Sequence, residues 1–412
     1  MDSKLIRNNL ASNAIIQVLA VGFPIILQSY LVRHLYIEDL GHLNIINATK
    51  SIAMLSISFL NLYLVKVVSN SNTDDIISYI VNSTALMMLL LIVPATFFII
   101  YLLYNYPYLT HPVIITLFTM IMAPLSCDFY FQAKLKNTFS LYRKLVVWIL
   151  YLICLFIFVK DRSDFIVYVY ISSIATILEV LTNFLYIKKL FNLSFISIKV
   201  IKSILLNSIG LLPFLLTFNL LPNLFLLVGS KFMTINDFTI FGILFKLINL
   251  STTFVTSAVM ILFPAKIIHE KMNSERLYND MKYLRNTLMV CLLIIISLFL
   301  FKNIIFQVFL YKYKIRNMGA EFFILSFYII IHSIYNYLAF NYYLIKGYNN
   351  ILVLINVFIL IVFFLALYLT YILKIHIYMS LIVTIPPFLG LIILILHSKL
   401  KLRVNYNNLF IK

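Results

Sequence analysis

The sequence predicts an all-α polytopic membrane protein with about twelve transmembrane helices in two six-helix lobes around a central cavity. Of its 412 residues, 63% are apolar or aromatic and 11% are charged, whereas a soluble domain is about half apolar and about a quarter charged. Because so few charges cannot cover a water-exposed surface, the composition excludes a soluble enzyme. A helix crosses the bilayer in about 20 residues, so this number of helices leaves no sizeable soluble domain.

About twelve apolar segments follow one another along the chain, and each is predicted to be a transmembrane helix. Those of the first half are 11–32, 41–64, 77–103, 111–131, 145–159 and 165–187. Those of the second half are 203–229, 238–263, 286–310, 321–345, 351–373 and 378–397. They are too long and too uniformly apolar for barrel strands, which alternate over about 9–11 residues. A helix also bonds its own backbone groups, as lipid requires.

The basic residues favour one orientation. With the N-terminus in the cytoplasm, about two-thirds of the lysines and arginines lie at cytoplasmic ends of the segments, as the positive-inside rule requires, and Arg143 is counted among them. Both termini are therefore expected in the cytoplasm. The formal charge of +18 then reflects membrane orientation, and no nucleic-acid partner is expected.

A basic connection that contains Phe191, Leu193 and Ile196 separates the two halves. The predicted domains are an N-terminal six-helix lobe over 1–190, a cytoplasmic amphipathic linker over 191–202 and a C-terminal six-helix lobe over 203–412. The linker is expected to lie on the inner leaflet, and an ordinary basic loop is the alternative.

The two halves resemble each other weakly. Pro24 and Arg33 in the first half have the same spacing as Pro222 and Lys231 in the second. Repeated six-helix units are common in transporters, which place their binding site between the repeats near the midplane of the membrane. The pattern therefore favours a transporter.

Three charged residues fall in the middle of predicted helices: Lys50, Lys246 and Glu179. A charge at the centre of a membrane helix costs about 2.5–3.5 kcal/mol, so it usually faces a cavity or a partner. Glu179 is expected either to pair with Lys50 or to bind a driving cation. Asp128 lies near the inner end of the fourth helix, where it is expected at the interface or in a proton relay.

Several predicted helices also carry a polar face. On the eighth helix it follows the helical repeat and comprises Thr239, Gly242, Lys246, Asn249, Thr253 and Thr256. Hydrogen bonds between helices, worth about 0.6 kcal/mol each, explain hydroxyl groups but explain two lysines poorly, so a water-filled cationic cavity is favoured. The candidate substrate-binding residues are Lys50, Lys246, Asn47, Asn249, Gln28 and Arg33, although Arg33 is equally explained by snorkelling.

The sequence contains no motif that indicates catalysis or a cofactor. It has no zinc-protease, phosphate-loop, serine-hydrolase or dinucleotide-binding pattern. Cys127, Cys154 and Cys291 are far apart and form neither a metal-binding pair nor a disulfide framework. We expect a protein that is not an enzyme and that holds no cofactor or metal.

Several segments resemble a known family. The run from Pro24 to Arg33 and the following Glu38-Asp39-Leu40-Gly41 are similar to the first-helix signature of bacterial polysaccharide flippases. The segment Phe129–Lys136 resembles the end of their fourth helix, and Gly229 with Phe241-Gly242 to Lys246 resembles their second half. On these segments the chain is identified as a member of the O-antigen flippases, within the multidrug/oligosaccharidyl-lipid/polysaccharide exporter superfamily.

The resemblance implies a V-shaped cavity between two lobes that opens alternately to each side of the bacterial inner membrane. It implies a substrate in which an oligosaccharide unit is attached to undecaprenyl pyrophosphate and moves from the inner to the outer leaflet. Lysines would attract the pyrophosphate group. An ion gradient is one candidate energy source, with H⁺ or Na⁺ acting through Glu179 or Asp128, and transport that needs no energy source is the alternative. The polymerase of the same pathway is a candidate partner.

Two alternatives remain open. The O-antigen polymerase is a similar basic membrane protein, but its glycosyl-transfer chemistry typically uses a large outer loop, and the loops predicted here are short. A small-molecule or drug cation antiporter of the same superfamily would favour an acidic cavity, and Lys50 and Lys246 argue against it.

Overall fold

The structure is a computed structural model that describes most of the chain. The described residues are 3–69, 71–134, 136–212, 220–231, 233–269, 276–310, 318–339, 343, 349–373 and 379–401. Within these ranges the regular structure is helical and includes no strand. The all-α class predicted from the sequence is therefore confirmed.

The helices follow the apolar segments. The first eight are α1 (Ser3–His34), α2 (Ile37–Ser69), α3 (Thr73–Asn105), α4 (Thr110–Met122), α5 (Asp128–Ala133), α6 (Asn137–Phe158), α7 (Phe165–Ile187) and α8 (Ile198–Ser208). The others are α9 (Leu221–Gly229), α10 (Ile235–His269), α11 (Arg276–Leu300), α12 (Lys302–Phe309), α13 (Met318–Leu338), α14 (Asn349–Leu373) and α15 (Met379–Lys401).

Nine helical stretches in the described part of the chain are long and apolar enough to cross a membrane. A tenth is obtained if α11 and α12, which meet at 71°, count as one bent span. Two predicted segments are not among these stretches. The first, 11–32, overlaps the shorter apolar helix Val18–His34. The seventh, 203–229, includes residues 213–219, which lie outside the described residues. The chain is a multi-pass membrane protein.

The fourth predicted helix is interrupted. After α4, a 3-10 turn covers Ala123–Ser126, where Pro124 cannot donate a backbone hydrogen bond. Cys127 then adopts a left-handed conformation (φ 45°, ψ 40°), which is uncommon for a residue other than glycine. The buried thiol of Cys127 donates to the carbonyl oxygen of Pro124 at 3.6 Å, and Asp128 begins α5 in a new direction.

Contacts divide the chain into two compact units. The first comprises Met1–Leu215 and Leu226–Asn236, and the second comprises Leu216–Phe225 and Asp237–Lys412. In the first, α2 packs against α3 and α5, α6 packs against α1 and α7, and α8 lies against α2 and α3. In the second, α13 and α14 pack against α15. The predicted lobes 1–190 and 203–412 with their linker stay a prediction.

A buried carboxylate joins two helices of the second unit. Glu321, in the first turn of α13, accepts hydrogen bonds from the backbone nitrogen atoms of Met379 at 3.0 Å and Ser380 at 2.8 Å. Both nitrogen atoms lie in the first turn of α15, where a helix presents unpaired donors and partial positive charge. The charge of Glu321 is thereby stabilised away from water.

The backbone of the segment between α7 and α8 is hydrogen-bonded by one side chain of α3. Asn82 of α3 is fully buried; its amide nitrogen donates to the carbonyl oxygen of Phe195 at 2.9 Å, and its oxygen accepts from the backbone nitrogen of Ser197 at 2.7 Å. Leu193 and Ile196 remain exposed. The backbone of the segment is therefore held against α3, while the apolar side chains of Leu193 and Ile196 are exposed.

Replacing Asn82 by Ala should release this segment. Because the Ser197 amide loses its acceptor and the Phe195 carbonyl its donor, we expect hydrogen exchange at Ser197 to accelerate about tenfold or more. Asn192→Ala is the matched control, since Asn192 is exposed and its side-chain oxygen accepts hydrogen bonds from Ser194 within the same turn. Unchanged exchange at Ser197 in Asn82→Ala would show that the segment is held by packing.

Candidate functional site

The first unit contains a small polar pocket between α2, α4 and α7. Its volume is about 130 Å³, and the described residues that line it are Leu43, Ile46, Asn47, Lys50, Thr116, Tyr168, Val169, Ser172, Ser173 and Thr176. Lys50 is the one cationic residue of this lining, and the lining includes no carboxylate. The pocket therefore has a positive character within an apolar protein.

Lys50 reaches the pocket from the middle of a long helix. It lies about 20 Å from the start of α2, which has 33 residues. Its ammonium nitrogen donates to the hydroxyl oxygen of Thr119 at 3.0 Å, and that hydroxyl donates to the carbonyl oxygen of Thr116 at 2.7 Å. Since the Thr119 hydrogen is already used, its oxygen is free to accept from Lys50. The ammonium is thus held by a neutral group.

The rest of the pocket supplies groups that can donate hydrogen bonds. Asn47 precedes Lys50 by about one turn on α2 and is exposed. The hydroxyls of Ser172 and Thr176 donate to carbonyl oxygens of α7, those of Val169 and Ser172. A hydroxyl can rotate to donate to a ligand instead. One ammonium, one amide and several hydroxyls are suitable for binding an oxyanion.

The size of the pocket limits what it can hold. A volume of about 130 Å³ can hold several waters or a group the size of a phosphate. The pocket is therefore suited to the charged group of a larger molecule.

Glu179 contacts a different helix from Lys50. Its carboxylate accepts a hydrogen bond from the indole nitrogen of Trp148 at 2.9 Å, and it interacts electrostatically with Lys144 and Arg143. The Trp148 ring is stacked on Phe23 with the ring centres 4.8 Å apart. Lys50 therefore bonds Thr119, and Glu179 bonds Trp148. The Lys50–Glu179 pair, one of the two arrangements expected from the sequence, is not the arrangement found.

Asp128 belongs to a second polar group, formed by α5, α6 and α7. Its Oδ1 atom accepts a hydrogen bond from the side-chain nitrogen of Asn183 at 2.8 Å and lies 3.9 Å from Nη1 of Arg143. The same Nη1 donates to the side-chain oxygen of Asn183. The Arg143 side chain is 5% exposed and that of Asp128 53%, so a buried guanidinium lies behind a partly open carboxylate.

The sequence interpretation missed Arg143, Asn183 and Trp148. Arg143 was placed outside the helix because the apolar segment begins near 145, whereas α6 begins at Asn137. A signal was available on α7, since Glu179 and Asn183 are one helical turn apart and share a face. Two polar residues with that spacing in an apolar helix indicate a polar partner on the neighbouring helix.

The remaining candidate residues are distributed over both units. Gln28 of α1 is buried and Arg33, in the last turn of the same helix, is exposed. In the second unit, Lys246 and Asn249 are half-buried on α10. Lys50 and Lys246 belong to different units, and the expectation that they share one cavity stays a prediction.

Sequence comparison gives no relative. No protein family matches the chain, and no curated protein matches it. Among the residues described, no group of three or more His, Cys, Asp or Glu could hold a metal ion.

Comparison with solved structures is informative. A MATE protein in complex with MaL6 matches with a TM-score of 0.67 at 13% identity, covering 98% of this chain and 99% of that one. The MATE multidrug transporter DinF-BH matches with a TM-score of 0.66 at 15% identity, covering 100% of this chain and 98% of that one. The chain has the fold of MATE transporters.

An inward-facing MATE family transporter of the MOP superfamily is also similar, with a TM-score of 0.63 at 11% identity over 98% of this chain and 95% of that one. MATE folds are all-α and polytopic, as predicted here. At this level of identity the likeness establishes the fold alone and leaves the substrate open.

Lys50→Met tests whether the ammonium is present for binding or for stability. The variant removes a charge that is costly in an apolar helix and leaves Thr119 bonded to Thr116. We therefore expect the thermal unfolding midpoint in detergent to rise, equivalent to about 1–3 kcal/mol. Lys189→Met, at an exposed lysine, should change stability by less than about 0.5 kcal/mol. A lower midpoint for Lys50→Met would assign Lys50 a structural role.

Proposed function

We propose that the chain is an alternating-access membrane transporter for an anionic, lipid-linked oligosaccharide. The observation that carries the proposal is the pocket at Lys50, which has one ammonium, several hydroxyls and no carboxylate among its described lining. The MATE-type fold supports transport. Transport of this kind needs no catalytic group, and we propose no enzymatic activity.

The proposed substrate is an oligosaccharide unit of the O-antigen class on undecaprenyl pyrophosphate. A pyrophosphate is a dense anion, and its attraction to an ammonium is strong where the surroundings are apolar. The pocket is large enough for a phosphate-sized group, and we propose that the sugars lie beyond it and the prenyl chain in lipid. This division matches a substrate whose charged, polar and apolar parts are separate.

Each candidate residue has a proposed role. Lys50 and Lys246 are proposed to contact the headgroup, and Asn47, next to Lys50 in the pocket lining, to hydrogen-bond it. Asn249, Gln28 and Arg33 are proposed to contact sugar hydroxyls or the headgroup. The proposal places the protein in the bacterial inner membrane with both termini in the cytoplasm, where substrate enters from the inner leaflet.

A second function is favoured by a different observation. The similar structures include multidrug transporters, so export of small organic cations is the alternative. A pocket for a cation is expected to present carboxylates or aromatic faces. The lining at Lys50 includes one aromatic ring, that of Tyr168, but no carboxylate among the described residues, and its ammonium repels such substrates. We therefore propose the anionic lipid as the substrate.

The double variant Lys50→Ala, Lys246→Ala tests the function. In a strain from which the gene has been deleted, the wild-type chain should restore long-chain surface polysaccharide, and the double variant should not, although it is present in the membrane. Each single variant should lower display at least about tenfold, the effect of losing one charge-assisted contact of about 1.5–3 kcal/mol. Lys189→Ala is the control and should behave as the wild type.

Two other results would redirect the interpretation. Normal polysaccharide in the double variant would reject the lysines as headgroup ligands. Normal polysaccharide in the deletion strain, combined with a loss of organic-cation efflux that the wild-type gene restores, would support the drug-transport alternative.

Glu179 and Asp128 are proposed to couple transport to a gradient of H⁺ or Na⁺. Both carboxylates belong to the first unit and interact with Arg143, so a change in their charge alters contacts among α5, α6 and α7. Glu179→Gln should make polysaccharide export insensitive to collapse of the gradient and slow it about tenfold. Asp74→Asn, at an exposed carboxylate at the start of α3, is the control. Export that depends on the gradient equally in both variants would reject Glu179.

A further inference from the structure

The connection between α7 and α8 presents apolar side chains on the outside of the first unit. Leu193 is 66% exposed, Ile196 48% and Ile198 82%. Asn82 of α3, which is fully buried, hydrogen-bonds the backbone on both sides of Ile196 and holds the connection in this position. We call Leu193, Ile196 and Ile198 the connecting patch. Its exposure therefore belongs to a connection with defined backbone contacts and not to a free loop.

α8 continues this surface with a face that combines apolar and basic side chains. The helix packs against α2 and α3, and its buried residues are Ile204 and Ser208. The opposite face is exposed and carries Ile198, Lys199, Lys202 and Leu206. Such a face is suited to the membrane surface, because its apolar groups can enter lipid while its basic groups reach the headgroups.

The charge of this face is positive. Neither Lys199 nor Lys202 forms an ion pair with a carboxylate in the described part of the chain, and the sequence has no Asp or Glu between Glu179 and Asp237. The neighbouring α3 has its acidic residues in its first turn, about two turns from Asn82. The two ammonium groups are therefore available to an anion beside the connecting patch.

We propose that the connecting patch and the outward face of α8 bind anionic phospholipid, with Lys199 and Lys202 at the headgroups and the patch in the upper acyl-chain layer. Burial of the apolar side chains favours any bilayer, whereas the two lysines favour a negatively charged one. The sequence left two interpretations of this connection, a segment on the leaflet and an ordinary basic loop. Exposed apolar groups on a held backbone favour the first, and the lysines add a preference for the kind of lipid.

Lipid preference measured next to the patch tests the inference. A fluorophore is attached to the full-length protein at Leu193→Cys in a Cys154→Ala background, because Cys127 and Cys291 are buried. The protein is placed in phosphatidylcholine vesicles at constant ionic strength. Quenching by trace phosphatidylglycerol is compared with quenching by trace phosphatidylcholine, each with a nitroxide near the top of one acyl chain. Since each basic residue favours an anionic surface by about fivefold, we expect phosphatidylglycerol to be preferred at least about tenfold.

Matched variants assign the preference to the two lysines. Lys199→Gln, Lys202→Gln should reduce it to less than about twofold, while quenching by phosphatidylcholine is retained because the apolar side chains still enter lipid. Lys160→Gln, Arg162→Gln removes two exposed charges from the connection at the other end of α7 and should leave the preference unchanged. A fluorophore at Val93→Cys, an exposed position about 16 Å along α3 from Asn82, should show no preference.

Four results would overturn the proposal. The first is equal quenching by both lipids in the protein with its lysines intact, and the second is a preference that survives Lys199→Gln, Lys202→Gln. Loss of the preference in excess inorganic pyrophosphate, at the same ionic strength, would assign the lysines to a free anion. Absence of quenching by either lipid would assign the patch to a protein partner. The inference uses no residue of the Lys50 pocket, so its outcome is independent of the proposed function.

Discussion

The structure of the first unit depends on one constraint: a charged side chain within an apolar helix must have water or a partner. The unit satisfies it in two ways. Lys50 has a small pocket and the neutral hydroxyl of Thr119, whereas Arg143 lies against Asp128 and Asn183. Since both solutions are costly relative to apolar packing, each indicates a use for the charge rather than a contribution to stability.

The two solutions leave different amounts of charge available. A neutral partner such as Thr119 does not cancel the positive charge of Lys50, so its field extends into the pocket and attracts an anion. The carboxylates around Arg143 cancel its charge, so the field outside the cluster is weak and the interaction joins α5, α6 and α7. The first arrangement is appropriate for binding, and the second for holding α5, α6 and α7 together.

Sequence patterns predicted the class, the positions of most helices and the place of Lys50 within a helix, because apolar length and an isolated charge are local properties. They did not predict the partner of Glu179, which depends on the face of α7 that packs against Trp148. They also placed Arg143 outside its helix, because polar residues in the first turns of α6 shorten the apolar segment. The Asn82 contacts with Phe195 and Ser197 join residues far apart in sequence, and no local pattern contains them.

The fold itself does not determine the substrate, because one fold commonly serves different ligands through different side chains. MATE-type structures at 11–15% identity share the path of the helices and few of the side chains that line it. The sign of the charge at the binding position is therefore the more specific property. At Lys50 that charge is positive, it is held by a hydroxyl, and it occupies a pocket of about 130 Å³. These three properties are the basis for proposing that the pocket binds a small anionic group such as that of a lipid headgroup.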